Sequence, residues 1–117
     1  MRRVKINFLN HQHHTLVQNF FRLLLITKEV EQVLVTHPGV AECAVIGLPD
    51  NDYGERVVAV VVRQAGMDPE PADIIQFCRG HIASFKAPRH VVFIDELPKT
   101  PAGKIQKNLL RKQFAEA

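Results

Sequence analysis

A small α+β domain is what this sequence predicts: a three-stranded sheet flanked by helices, folded as a single domain. Three observations carry that prediction. Val40 to Gly47 is apolar almost throughout, as a strand covered on both faces is, and Arg56 to Arg63 is a second run dense in valine. Elsewhere, apolar residues recur at the spacing of helices that bury one side. A chain of 117 residues, 46% hydrophobic and 23% charged, is long enough for one modest core and too apolar to stay disordered.

The elements follow in order. Before Pro38 and Gly39 there is neither proline nor glycine, so the start reads as helix or as an unusual tail. Leu16, Phe20, Leu23 and Leu24 fall at helical spacing. They predict a helix from about Thr15 to Ile26, inside an atypical N-terminal segment, 1–26. The domain proper is expected over 27–117. Thr27 is the expected cap of its first helix, with Glu29 and Glu31 near the positive end and Val30, Val33 and Leu34 inward. His37-Pro38-Gly39 stops that helix. The strands Val40 to Gly47 and Arg56 to Arg63 are expected to pair antiparallel across a long polar loop, Leu48 to Gly54. Pro71 suits the first turn of a helix running to about Ala83, with Ile74, Ile75, Cys78 and Ile82 inward. Phe85-Lys86-Ala87-Pro88 leads to a third strand, His90 to Ile94. Leu97 to Gly103 holds two prolines and a glycine in seven residues and is expected to form no regular structure. A last helix, from about Gln106 to Ala115, is expected to bury Leu109, Leu110 and Phe114.

Composition argues against several classes of function. The formal net charge of +3 suits an anionic ligand but is too small to call for nucleic acid. The few aromatics do not interleave with basic residues as stacking surfaces would. The longest apolar stretch near the start is short and carries Arg22 in its middle, so no membrane span is predicted. Met1-Arg2-Arg3 is not followed by the apolar run and cleavage site of a secretory signal. Cys43 and Cys78 match no metal or redox spacing and read as buried, reduced thiols of a cytoplasmic protein. His11, His13 and His14 are read as part of a tail, and no metal site is predicted.

Chemistry concentrates in Glu96-Leu97-Pro98-Lys99-Thr100-Pro101-Ala102-Gly103-Lys104-Ile105. The prolines restrict the backbone, and Gly103 permits a turn or a close approach to a ligand. Lys99, Lys104, Lys107, Arg111 and Lys112 put five positive charges into fourteen residues. By residue type alone two readings stand. One is a stiff loop that offers an ammonium group to a phosphate or carboxylate. The other is a solvated loop ahead of a basic surface helix. A nucleotide-binding P-loop is rejected, because that motif needs glycine where Pro98 stands and Ser or Thr where Ile105 stands.

Longer blocks bear on the choice. Glu29-Val30-Glu31-Gln32-Val33-Leu34 is followed by His37-Pro38-Gly39-Val40-Ala41-Glu42, then by Ala44-Val45-Ile46-Gly47-Leu48-Pro49-Asp50 and Tyr53-Gly54-Glu55-Arg56-Val57-Val58-Ala59. Phe85-Lys86-Ala87-Pro88 and Phe93-Ile94-Asp95-Glu96-Leu97-Pro98-Lys99-Thr100 come later, and Gly103-Lys104-Ile105 with Leu109-Leu110-Arg111 closes the series. In this order and spacing, residues 29–114 resemble the C-terminal domain of the adenylate-forming superfamily. That superfamily comprises acyl-CoA synthetases, aryl-CoA ligases, luciferases and nonribosomal adenylation domains.

The resemblance implies a two-step reaction. A carboxylic acid and MgATP give an acyl-adenylate and pyrophosphate, and a thiol, usually of coenzyme A, then displaces AMP. It implies that Lys104 is the catalytic lysine of the first step, with Gly103 beside it. It also implies nucleotide or coenzyme A contacts for Gly54, Arg56 and Lys86, beside the plainer readings of Arg56 as a strand-end surface residue and Lys86 as loop structure. Lys104 resembles the lysine that is acetylated in relatives, a modification that would remove the needed charge. The implied cofactors are ATP with Mg and coenzyme A in the complete enzyme, none of them held tightly by this chain. The implied partner is a large N-terminal adenylation domain, in cis or in trans, whose ATP- and acid-binding motifs this sequence lacks. The hinge and the glycine-rich hairpin that precede the Glu29 helix in relatives are not visible either, so the chain alone is expected to be inactive. Phe20, Phe21 and Leu23 to Leu25 are read as covering the core face such a hairpin would cover, or as a homodimer contact within 15–26. The alternative function is a noncatalytic folded remnant or protein-interaction module.

Overall fold

Apolar side chains alternate between the two sides of β1 (Val40–Asp50) and β2 (Gly54–Arg63), so each strand feeds two cores. The computed structural model describes residues 24–50 and 54–115. Over these the sheet has the order β1-β2-β3, with β3 at His90–Phe93. β1 and β2 are antiparallel, and β2 and β3 are parallel. A parallel pair needs a crossover, and α2 (Pro71–Arg79) lies in it. On one face Cys43, Val45, Ala59, Val61 and Val91 meet Val30 and Leu34 of α1 (24–34) and Ile74 and Cys78 of α2. On the other, Ala44, Ile46, Leu48, Val58 and Val60 meet Leu97 and Leu110, the latter from α3 (Lys107–Phe114). The fold is thus the α+β domain with a three-stranded sheet that the sequence predicts.

Several element ends differ from expectation, each for a physical reason. Residue 24 is already helical, so Thr27 is no cap. Thr27 is buried inside α1 and its Oγ1 donates to the Leu24 carbonyl at 3.0 Å, the back-bonding of a mid-helix threonine. Residues 24–26 of the helix expected from Thr15 are therefore continuous with α1. The rest of 1–26, and with it most of the expected cover or dimer contact, lies outside the described residues.

β1 does not stop at Gly47. Leu48 is only 2% exposed, and Leu48, Pro49 and Asp50 pair with Arg56, Glu55 and Gly54. Of the expected long loop, Leu48 to Asp50 and Gly54 belong to the strands, and 51–53 lie outside the described residues. Burial of Leu48 outweighs the turn-forming residues after it, and an edge strand tolerates Pro49. α2 ends at Arg79 and not at Ala83, because Gly80 closes the last turn with its N–H shared by the Gln76 and Phe77 carbonyls. Ile82 still packs inward, and a 3-10 turn follows at Ser84–Lys86. β3 ends one residue early, at Phe93, although the Ile94 N–H still reaches the Val61 carbonyl. In α3, Leu110 is fully buried and Phe114 shares its face. Leu109 is 43% exposed, since one residue is a rotation of about 100° around the helix.

Candidate functional site

The segment expected to be irregular is a miniature hairpin. Leu97 and Ile105 hold its ends in the α3-side core, and Lys99 and Ile105 form an antiparallel bridge. Gln106 N–H donates to the Pro98 carbonyl, Thr100 N–H to that of Lys104 and Gly103 N–H to that of Thr100, each at 2.8 Å. The last of these closes a β-turn over Pro101 and Ala102. No described non-glycine residue has a positive φ, which excludes a type II turn at Ala102 and leaves Pro101 in a position that type I favours. Gly103 follows at φ +89°. A left-handed residue after a type I turn is the usual way for three residues to join two antiparallel strands. Pro98 and Pro101 do no harm, because the donors in use belong to Thr100, Gly103 and Gln106.

Lys104 sits where the hairpin turns back into the domain. Its N–H donates to Thr100 Oγ1 at 3.2 Å. Its side chain is exposed, and among the described residues nothing bonds its ammonium group. Its neighbours differ. Lys99 is ion-paired with Glu42 of β1, and Lys107 Nζ lies 2.5 Å from Glu31 Oε1 of α1. The flanking lysines are fastened to the body, and the one between them reaches outward. A methyl group on Gly103 would meet nothing within 4 Å, so that flank of the turn is open to a ligand.

The other predicted residues lie elsewhere. Gly54 begins β2, paired with Asp50. Arg56, opposite Leu48, donates from Nη1 to the Pro49 carbonyl at 2.7 Å. Arg56 also lines an open cavity of about 480 Å³ with Glu55, Ser84, Arg79 and Arg89. Lys86 belongs to the 3-10 turn that supplies Ser84, and its Nζ lies 3.1 Å from Glu29 Oε2. Lys104 and Gly103 do not line this cavity. Two arginines of the cavity escaped the sequence reading. Arg89 directly follows the Phe85–Pro88 block, a signal that could have found it. Arg79 was hidden because α2 was expected to run past it. Glu31 and Glu42 carried no local sign of their lysine partners.

Neither thiol is a ready nucleophile. Burial, and then the Glu31 charge, pushes Cys43 up to about 12, and burial followed by Glu29 pushes Cys78 up to about 11. Among the described residues no group of three or more His, Cys, Asp or Glu could hold a metal ion. No described helix is long and apolar enough to cross a membrane.

An alternating sheet with helices on both faces and a proline-stiffened lysine hairpin define a recognisable class of small domain. Residues 29–104 match the AMP-binding enzyme C-terminal domain, well over half of the chain, and the chain belongs to that family. The matched stretch ends on Lys104. Fatty acid–acyl-carrier-protein ligase ScoC of Streptomyces coeruleorubidus is 48% identical over 86 residues, covering 74% of this chain and 17% of that protein. Oxalate–CoA ligase of Arabidopsis thaliana is 41% identical over 88 residues, covering 75% and 17%. Among solved structures, apo MatB from Rhodopseudomonas palustris matches with a TM-score of 0.74 at 44% identity, covering 77% of this chain and 18% of that one. The chain thus spans about a sixth of the length of these relatives.

Proposed function

We propose that residues 27–117 act as the mobile small domain of an AMP-forming acid–thiol ligase and that Lys104 is its adenylation lysine. One observation carries this reading: on a self-closed hairpin whose flanking lysines are both tied down, the Lys104 ammonium group has no partner among the described residues. In the first step a carboxylate oxygen attacks the α-phosphorus of ATP and pyrophosphate leaves. The two reacting groups are both anionic and repel each other. An ammonium group held between them aligns the attack and stabilises the charge that moves onto pyrophosphate, and losing one such donor costs about 3–4 kcal/mol. Gly103 lets the turn come close without a side chain in the way.

In the second step a thiol displaces AMP. The named acceptors of the relatives are an acyl-carrier protein and coenzyme A. Coenzyme A is the acceptor proposed here. The cavity lined by Arg56, Arg79 and Arg89 suits its anionic nucleotide end, with Gly54 nearby at the start of β2. Lys86, paired with Glu29, belongs to the turn that supplies Ser84 to that cavity. A large domain, in cis or in trans, would hold MgATP and the acid. This chain assayed alone is expected to be inactive, and its setting cytoplasmic.

The test joins this chain to the large domain of a similar ligase such as MatB, in place of that enzyme's own small domain. Acid-dependent release of pyrophosphate from MgATP should return. Lys104→Ala should lower it by about 10²–10³ and leave thioester formation from supplied acyl-adenylate intact. A noncatalytic interaction module restores nothing, and equal loss of both half-reactions removes Lys104 from its assigned role.

A further inference from the structure

The way the hairpin is fastened singles out a residue far from it in sequence. We infer that Glu31, acting through Lys107, is a positioning residue for Lys104, and that Glu42 with Lys99 does the same at the other foot of the hairpin. This rests on the reading of Lys104 as the adenylation lysine.

The hairpin closes itself, but its own hydrogen bonds say nothing of how it sits on the domain. α3, which follows it, is only eight residues long, and Leu110 is its one fully buried residue. Apolar burial is non-directional: it sets how close the helix lies to the sheet far better than how it is turned. The directional contacts are the two ion pairs. Glu31 Oε1 accepts the Val45 N–H of β1 at 2.8 Å and lies 2.5 Å from Nζ of Lys107, the first residue of α3. One carboxylate oxygen therefore joins α1, β1 and the start of α3, three residues beyond Lys104. Glu31 and Lys107 side chains are 25% and 30% exposed, so water screens the pair less than it would on an open surface. Across the bridge from Ile105, Lys99 is tied to Glu42 of the same strand. With both feet held, the ammonium group of Lys104 works from a fixed base. A misplacement of about 1 Å at a reacting centre can lower a rate by as much as 10².

The test uses the same joined ligase. Glu31→Gln and Lys107→Gln should each lower the adenylation kcat about tenfold, with KM for ATP and acid within about twofold. Lys107→Arg, which keeps the ion pair, should stay near the parent rate. Lys99→Gln, outside the core, should move the rate in the same direction. Thioester formation from supplied acyl-adenylate should not change in any of them. A loss shared by both half-reactions, or one matched by loss of folded protein in circular dichroism, overturns the inference. Parent rates in Glu31→Gln, Lys107→Gln and Lys99→Gln, with Lys104→Ala still strongly impaired, overturn it while leaving Lys104 its role. Lys104→Ala at the parent rate, or no activity in the parent, removes the underlying reading and the inference with it.

Discussion

Alanine at position 103 would sit at φ +89°, where its Cβ crowds the backbone and an L-residue loses roughly 1–2 kcal/mol. Nothing lies within 4 Å of that Cβ, so packing neither adds to the loss nor relieves it. The unfolded chain gives back roughly 0.4–1 kcal/mol, since alanine has fewer conformations to lose than glycine. The net expectation is a destabilisation of about 1 kcal/mol, or roughly 4 °C in Tm for a domain of this size. Asparagine enters the left-handed region more readily, so Gly103→Asn should lose roughly half as much. Gly39 supplies the control. Its φ is not positive, but a Cβ there would lie 2.8 Å from Pro69 Cγ and 3.2 Å from the His37 ring. The difficulty at 39 is steric, so Asn should be worse than Ala. Thermal melts of the four variants by circular dichroism decide it. If Asn is no better than Ala at 103, or is better than Ala at 39, the assignment of one glycine to conformation and the other to space is wrong.

Three more expectations concern the cores. Leu110→Ala should destabilise the domain by about 2–5 kcal/mol in urea titration, and a loss below about 1 kcal/mol would mean that α3 is held by something else. Cys43 and Cys78 should react slowly with a thiol reagent at pH 8 until the chain is unfolded. Their folded-state values, about 12 and about 11, lie above the ordinary 9.0, so the folded state keeps protons that the unfolded state releases. That contribution is complete below pH 9 and fades as the pH climbs toward 11 and 12. The urea midpoint should therefore drop between pH 8 and 10.5, and drop less in the Cys43→Ala/Cys78→Ala double variant. Equal drops in the two proteins would contradict the assignment to the thiols.

The sheet was legible because strands buried on both faces must be apolar at every position, and Val57 to Val62 can be little else. Helix faces were legible from Ile74 and Cys78 or Leu110 and Phe114, four residues apart. Ends were harder. Thr27 has the chemistry of a cap, but a cap needs a break before it, and the preceding residues offer none. Pro49 and Asp50 look like a turn, and only the burial of Leu48 keeps the strand going. Prolines at 98 and 101 read as breakers, although a three-residue hairpin loop draws its donors from other residues. In the candidate site, Gly103 and Lys104 stood out as adjacent residues in one short block. The carboxylates that hold the hairpin did not, because contacts such as Glu42 to Lys99 span 57 residues and leave no periodic trace.

Glu31 has one more consequence. β1 is eleven residues long and stands at the edge of the sheet, where a row of backbone groups can recruit another strand, from a second copy of the chain included. The Val45 N–H points out of that edge, near its middle, and the Glu31 carboxylate already occupies it. An incoming strand would have to expel a charged group and break its pairing with Lys107 as well. The residue that steadies the hairpin thus also blunts the sheet against strand addition, and a chain that lost it would gain a sticky edge.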